Sequence, residues 1–395
     1  MTPRRIAVFT STRAEYGLLR PLMREIADRK GLELQVIASG THLSPQHGLT
    51  RRDIEADGFT IDSAVDMLLS SDSAVATAKS AALAMMGTAE ALDRLRPDVL
   101  VLLGDRYELL AAAQAAVLAR VPIAHLHGGE TTEGAIDESI RHAVTKLSHL
   151  HFPAAEPYAE RLRQMGEEPS RIWTVGAPAM DNIAALDAMP LEALEQYLGL
   201  TLRCPSFLVT YHPVTLSEDA GLGAMRSLLT ALDETGGTIV VTGTNADPGA
   251  SGIRQVLERF AMERPGRVAL VESLGVRRYL SLMAQVDAVV GNSSSGLLEA
   301  PAMGVPTVDI GSRQQGRLRA PSVLHCDEDL DGIRSTLALA LSEAHRTLTQ
   351  GRDTPYGRPG AARRIADVLE TVSLGSLQKP FVNRPLTGAS RVPTP

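Results

Sequence analysis

Val99-Leu100-Val101-Leu102-Leu103-Gly104-Asp105-Arg106 is an unbroken apolar run that ends abruptly in glycine and charge. A strand wetted on one face would alternate polar with apolar residues. This one is apolar throughout, so it reads as a strand covered on both faces, inside a parallel sheet. Outward from it the pattern repeats at Arg5–Thr10, Leu34–Ser39, Pro122–Leu126, His149–Phe152 and Ile172–Val175. It resumes at Phe207–Thr210, Thr238–Thr242, Ala269–Glu272, Ala288–Gly291 and Thr307–Ile310. Amphipathic stretches lie between, one carrying Ile136, Ile140, Ala143 and Leu147 on a single helical stripe. Thr12 with Glu15 three residues later predicts a capping box at the start of the first helix.

This alternation predicts an α/β protein of two doubly wound, Rossmann-like domains facing each other across a cleft. We place the first domain at 1–178 and the second at 205–357. The connection at 179–204 is marked by Pro178, Pro190 and Pro205. A helix at about 358–374 is expected to pack back on the first domain. From 375 to 395 the chain turns to Gly, Pro, Ser and Thr and reads as a disordered tail.

Composition narrows the function. The chain has 395 residues, 44% hydrophobic and 22% charged, enough for two buried cores. Its 39 Lys and Arg against 46 Asp and Glu give a net charge of −7. That argues against the broad basic face of a nucleic-acid or membrane-surface binder, but leaves room for a small anion held by a few arginines. The run Ile6–Phe9 is too short for a secretory signal, and no stretch reaches the ~18 apolar residues of a membrane span. Cys204 and Cys326, the two cysteines, stand far apart and fit a reduced compartment. The expected location is the cytoplasm.

In open α/β sheets ligands bind beyond the carboxyl ends of the strands, so the residues just past each strand carry the argument. They are Ser11–Arg13, Gly40–His42, Gly104–Arg106, His127–Glu130, His212, Gly243–Asn245, Asn292–Ser295 and Arg313. Gly291-Asn-Ser-Ser-Ser-Gly296 follows a strand and opens a helix, the arrangement that offers backbone N–H groups and hydroxyls to a phosphate. Arg313 and Arg317 follow another strand, and Arg13 supplies a clamp from the other domain. Arg319 is read as a solvated loop charge. Asp105, Glu130, Asp137 and Glu138 gather in the first domain, with Arg141 and His142 four residues after the last two. Acids crowded beside a cleft can be driven to different pKa values and so divide acid from base work.

His125 and His127 alternate on one strand beside Glu130, which raises a metal hydrolase as runner-up. No third histidine arrives at ligand spacing, and neither metal nor cofactor is expected. Neither a P-loop nor a dinucleotide fingerprint is present.

Five segments resemble the hydrolysing UDP-N-acetylglucosamine 2-epimerases that begin sialic-acid and related nonulosonic-acid biosynthesis. They are Ser11-Thr-Arg-Ala-Glu-Tyr16, Gly104-Asp-Arg-Tyr-Glu108, His127-Gly-Gly-Glu-Thr-Thr-Glu-Gly-Ala-Ile-Asp-Glu-Ser-Ile-Arg-His142, Gly291-Asn-Ser-Ser-Ser-Gly296 and Arg313-Gln-Gln-Gly-Arg317. The resemblance implies a glycosyltransferase-B-like fold, a homodimer or homotetramer, and hydrolysis of UDP-N-acetylglucosamine to N-acetylmannosamine and UDP through a 2-acetamidoglucal. It implies Asp105, Glu130, Asp137 and His212 as catalytic residues. Arg13, Asn245, Ser293, Ser294, Ser295, Glu299 and Arg313 would surround the nucleotide and diphosphate, with His42, Glu138, Arg141 and His142 as further sugar contacts. A UDP- or GDP-linked 2,4-diacetamido-trideoxy sugar is the close alternative substrate. A glycosyltransferase on the same fold and a non-catalytic nucleotide-sugar-binding regulator are the readings from other classes.

Overall fold

The computed structural model describes residues 2–71, 73–244, 250–375 and 377–384. Twelve strands form two six-stranded sheets in which every pairing is parallel. The first sheet holds β1 (Arg4–Thr10), β2 (Leu32–Ser39), β3 (Ser63–Val65), β4 (Val99–Leu103), β5 (Ile123–Leu126) and β6 (Leu150–Phe152), in the order β3-β2-β1-β4-β5-β6. The second holds β7 (Ser206–Thr210), β8 (Thr238–Thr242), β9 (Val268–Val271), β10 (Ala288–Gly291), β11 (Thr307–Ile310) and β12 (Val323–Cys326), in the order β12-β11-β10-β7-β8-β9. Counted from its own first strand, each sheet runs 3-2-1-4-5-6, the Rossmann order. The two doubly wound domains are therefore present.

The double-sided cover expected for β4 shows in its packing. Val99, Val101 and Leu103 join Leu19, Leu22, Met23 and Ile26 in a core on one face. Leu100 and Leu102 join Leu109, Ala112 and Ala116 on the other. All five strand residues are buried, each contributing about 1.5–3 kcal/mol of burial free energy.

Two edges differ from the expectation. Ile172–Val175 forms no strand; Ile172 makes a single bridge to His151. The places at the sheet edges go instead to β3 and β12, whose short, partly polar sequences carry no apolar run. The capping box is also half formed: Thr12 Oγ1 accepts from the Glu15 N–H, but the Glu15 carboxyl turns to Ser11.

The chain passes between the sheets through helices Ala179–Ala184 and Leu191–Leu198 and returns as helix Ala361–Thr371. Ala362, Ile365, Ala366 and Leu369 of that last helix complete the core around β1, β2 and β4. Outgoing and returning segments are tied together. Ala177 N–H donates to Tyr356 O at 2.9 Å, and the Asp181 carboxylate accepts from the Ala362 N–H at 2.8 Å and from the Gly360 N–H.

The expected tail is corrected over 377–384. Lys379 donates to Thr145 O and Lys146 O at 2.9 and 2.8 Å and pairs with buried Glu167 at 2.6 Å, while Val382 N–H donates to Gly166 O. Single anchors such as Lys379 and Phe381 do this work, and composition averaged over the segment hides them. Residues 385–395 lie outside the described residues. Among those described, no helix is long and apolar enough to cross a membrane.

Candidate functional site

The strand order reverses between β1 and β4 in one sheet and between β7 and β10 in the other. Past these four strand ends lie Ser11–Arg13, Gly104–Arg106, Tyr211–His212 and Asn292–Ser295. Gly291 is needed there: at φ +136° a Cβ would stand 2.1 Å from Thr210 O. Beyond it, Asn292 pins the neighbouring loop, its Oδ1 accepting from His212 N–H at 2.7 Å and its Nδ2 donating to His212 O at 2.8 Å.

Arg13, His212, Ser293, Ser294, Ser295 and Glu299 line one cleft between the domains, together with Gly243, Gly275 and Tyr279. Helix Ser295–Met303 points its N-terminus at this cleft. The serine hydroxyls are ordered by one another and by Tyr279, with Ser295 Oγ 3.2 Å from Ser293 Oγ and 2.6 Å from the Tyr279 hydroxyl. Such an N-terminus with its dipole suits a diphosphate. Desolvation at the wall pushes the Glu299 carboxyl up to about 7. Burial, with Arg313, Arg13 and Arg106 nearby, holds His212 well below the usual histidine range, so it meets an incoming anion as a neutral ring.

The acids form a second assembly on the first domain. Arg141, wholly buried, binds Asp105 Oδ2 and Thr132 Oγ1, reaches Glu138 Oε2 at 2.9 Å and donates to the backbone O of Glu130 at 3.0 Å. Glu138 also accepts from Thr132 N–H at 2.6 Å and faces His142 at 3.1 Å. Glu130 Oε1 lies 2.5 Å from His127 Nδ1 and its Oε2 lies 3.2 Å from Arg317. Burial pushes the Glu130 carboxyl up, but His127 and Arg317 outweigh it and hold the group below its ordinary value.

Exposure separates the acids: the Glu130 side chain is 1% exposed, Asp105 18% and Asp137 16%. Asp105 and Asp137 are therefore the acids open to solvent, while Glu130 is enclosed. Arg313 joins the two assemblies, its NH1 donating to Asn292 O at 3.1 Å and its NH2 lying 3.9 Å from Asp137 Oδ2. The loops that carry them nearly touch, since a Cβ on Gly134 would stand 2.8 Å from the Ser312 backbone.

Several expected roles change. His42 is buried with Nε2 3.0 Å from Thr10 Oγ1 and Nδ1 2.8 Å from Thr50 Oγ1, and burial pushes it down to about 4. Both nitrogens are committed to protein hydroxyls, so it is a strut between β1 and the segment after β2 and offers none to a sugar. Arg141 spends its guanidinium on Asp105, Glu138, Thr132 Oγ1 and Glu130 O, and His142 turns Nε2 to Glu138 while its Nδ1 has no partner among the described residues. Arg319 is no solvated charge: it pairs with buried Asp309 at 2.8 Å. Asn245 lies outside the described residues.

The two strand histidines do not share a metal. His125 Nε2 is 2.8 Å from Gly104 O, while His127, past the end of β5 at φ +62°, turns to Glu130. Among the described residues no group of three or more His, Cys, Asp or Glu is arranged to hold one. Arg317, expected beside Arg313 as an anion clamp, pairs instead with Glu130 at 3.2 Å, and Tyr279 joins the cleft with no signal in the sequence, being a lone tyrosine.

A family model described as UDP-N-acetylglucosamine 2-epimerase matches residues 24–370. The GDP/UDP-N,N'-diacetylbacillosamine 2-epimerase (hydrolyzing) of Campylobacter jejuni is 40% identical over 333 residues, 84% of this chain and 86% of that protein. The UDP-N,N'-diacetylbacillosamine 2-epimerase (hydrolyzing) of Legionella pneumophila is 34% identical over 373 residues, covering 94% and 97%. Among solved structures, UDP-GlcNAc 2-epimerase from Neisseria meningitidis bound to UDP-GlcNAc superposes with a TM-score of 0.76 at 17% identity, over 93% of this chain and 99% of that one. At that identity the last likeness concerns the fold alone.

Proposed function

The chain belongs to the hydrolysing UDP-N-acetylglucosamine 2-epimerase family, and from that premise we propose that it hydrolyses and epimerises a nucleotide-linked 2,4-diacetamido-2,4,6-trideoxy sugar. Two relatives at 40% and 34% identity carry that substrate in their names, which favours it over UDP-N-acetylglucosamine, our first expectation. UDP-N-acetylglucosamine stays as the second reading, supported by the family description. The observation that carries the proposal is the acid assembly of Asp105, Glu130 and Asp137 set against a serine-lined helix N-terminus.

The chemistry fits those groups. A carboxylate takes the C2 proton as the C1–O bond breaks, and the nucleoside diphosphate leaves with the electron pair. Water then adds its hydroxyl to the glycal at C1, and a proton reaches C2 from the opposite face. Asp105 and Asp137, the more exposed acids, are those we place against C1 and C2. Glu130 keeps its charge behind them and orients His127. Arg13, Arg313 and Ser293–Ser295 take the diphosphate, and neutral His212 donates a hydrogen bond to it. Glu299 accepts from the ribose diol.

The homodimer or homotetramer belongs to the same reading. Helix Ala74–Leu95 offers an apolar outer stripe of Val75, Leu83 and Met86 for it, and analytical ultracentrifugation tests it.

The deciding experiment incubates the protein in D₂O with UDP-diacetylbacillosamine, its GDP counterpart and UDP-N-acetylglucosamine in parallel. Free 2-epimeric sugar carrying deuterium at C2, released fastest from a diacetamido substrate, is expected. Faster release from UDP-N-acetylglucosamine selects the second reading, and retention of the C2 proton overturns the mechanism.

A further inference from the structure

Two buried acids outside the assembly just described meet on one hydroxyl. Ser11 Oγ lies 2.7 Å from Glu108 Oε1 and 3.1 and 2.9 Å from the two Glu15 carboxyl oxygens. The Ser11 N–H donates to Glu15 Oε2 at 2.9 Å. A serine has a single hydroxyl hydrogen, so it can serve one carboxylate. The second carboxyl can bond that hydroxyl oxygen only if it brings a hydrogen of its own. Arg106 decides which acid that is. Its Nε donates to Glu108 Oε1 at 2.7 Å, so Glu108 is the charged partner. Among the described residues Glu15 makes no ion pair, and it is 6% exposed.

These groups stand at the switch point of the first sheet. Ser11 leads into Arg13 on the cleft wall, and Arg106 follows Asp105 directly. The positive charge of Arg106 is felt at His212 across the cleft.

We propose that Glu15 is a proton-holding positioning residue of the nucleotide cleft. It donates through Ser11 to ionised Glu108, which fixes the Ser11–Arg13 turn and leaves the Glu15–Glu108–Arg106 group with no net charge beside the diphosphate. The proposal rests on the reading that this cleft takes a nucleoside diphosphate. Burial, with the like charge of Glu108 adding and Arg106 opposing, pushes the Glu15 carboxyl up to about 7. Glu108 and Arg106 are the charged groups bearing on it. His42, edge-on to the adjacent Tyr16, is neutral at these pH values. When Glu15 ionises, the group gains a negative charge facing an anionic ligand, so affinity falls as pH rises.

Calorimetry of UDP binding between about pH 5.5 and 8.5, on wild type and Glu15→Gln, tests this. Ionisation of UDP itself is common to both proteins and cancels in their ratio. Glutamine mimics the protonated acid, so the two affinities should agree at the acid end. Wild type should bind on the order of tenfold more weakly at the alkaline end. An unchanged ratio across the range overturns the proposal.

A second measurement does not depend on that variant folding. In a Glu299→Gln background, which silences the other buried carboxyl pushed up to about 7, infrared spectra should show a protonated-carboxyl C=O band at acid pH that disappears with alkali. Absence of the band at the acid end overturns the proposal. Failure of UDP to bind either protein sinks the nucleotide reading instead, and the infrared band still decides the state of Glu15.

Discussion

The two walls of the cleft share one strand order and are built from different materials. The first wall is a net of ion pairs in which Arg141 binds both Asp105 and Glu138, His142 also meets Glu138, and His127 and Arg317 hold Glu130. The second wall presents serine hydroxyls, a helix N-terminus and Tyr279. The difference teaches where charge is worth burying. Proton transfer needs carboxylates of fixed orientation, and a buried carboxylate needs a cation beside it. An anion that comes and goes is better met by dipoles, which leave no charge stranded when it departs.

Removal of a part from the first wall should therefore cost far more than removal from the second. The largest effect is expected for Arg141→Met. Stranding Asp105 and Glu138 should destabilise the protein by about 3–5 kcal/mol and abolish turnover, as measured by urea unfolding and product release. Asp105→Asn should come next, lowering kcat by about 10²–10⁴-fold with UDP affinity unchanged in calorimetry. Equal losses of both would erase the division between the walls. At the nucleotide end of the cleft, where the first domain contributes Arg13, Arg13→Ala should raise KM by about 10–100-fold while kcat changes less.

The smallest effect concerns pH. The Glu299 carboxyl is raised from 4.5 to about 7, so its folded form binds a proton more readily than its unfolded form. The stability it contributes is full below about pH 4.5 and is lost as pH rises through about 7. Glu299→Gln should flatten that decline by about 1–3 kcal/mol in thermal or urea unfolding at a series of pH values. An identical slope in the variant would place Glu299 in contact with water.

How much of this was legible in the sequence depends on whether a residue acts with its neighbours in the chain or across space. β4 could be read because double burial demands an apolar run. The acids could be read because strand ends and a helix start bring them together. β3 and β12 could not, since an edge strand of three or four residues is held by its neighbour's ladder and needs no apolar run of its own. His42 and Asp105 both follow a strand, yet the first is claimed by Thr10 and Thr50 and the second is held by Arg141 and stays partly open to solvent. Only the partners distinguish them. Arg317 lay in plain view in a loop, but its target, Glu130, is on the other domain. The same holds for Lys379, which is tied to Glu167 through more than two hundred residues of intervening chain.

The chain crosses between the lobes twice, and the two crossings are bonded side by side through Asp181, Ala177 and Tyr356. One strand of backbone would be a tether, leaving the lobes to twist and slide. Two clamped strands make an axle. Hydrogen-bonded side by side, they resist torsion and shear between the lobes better than one segment would.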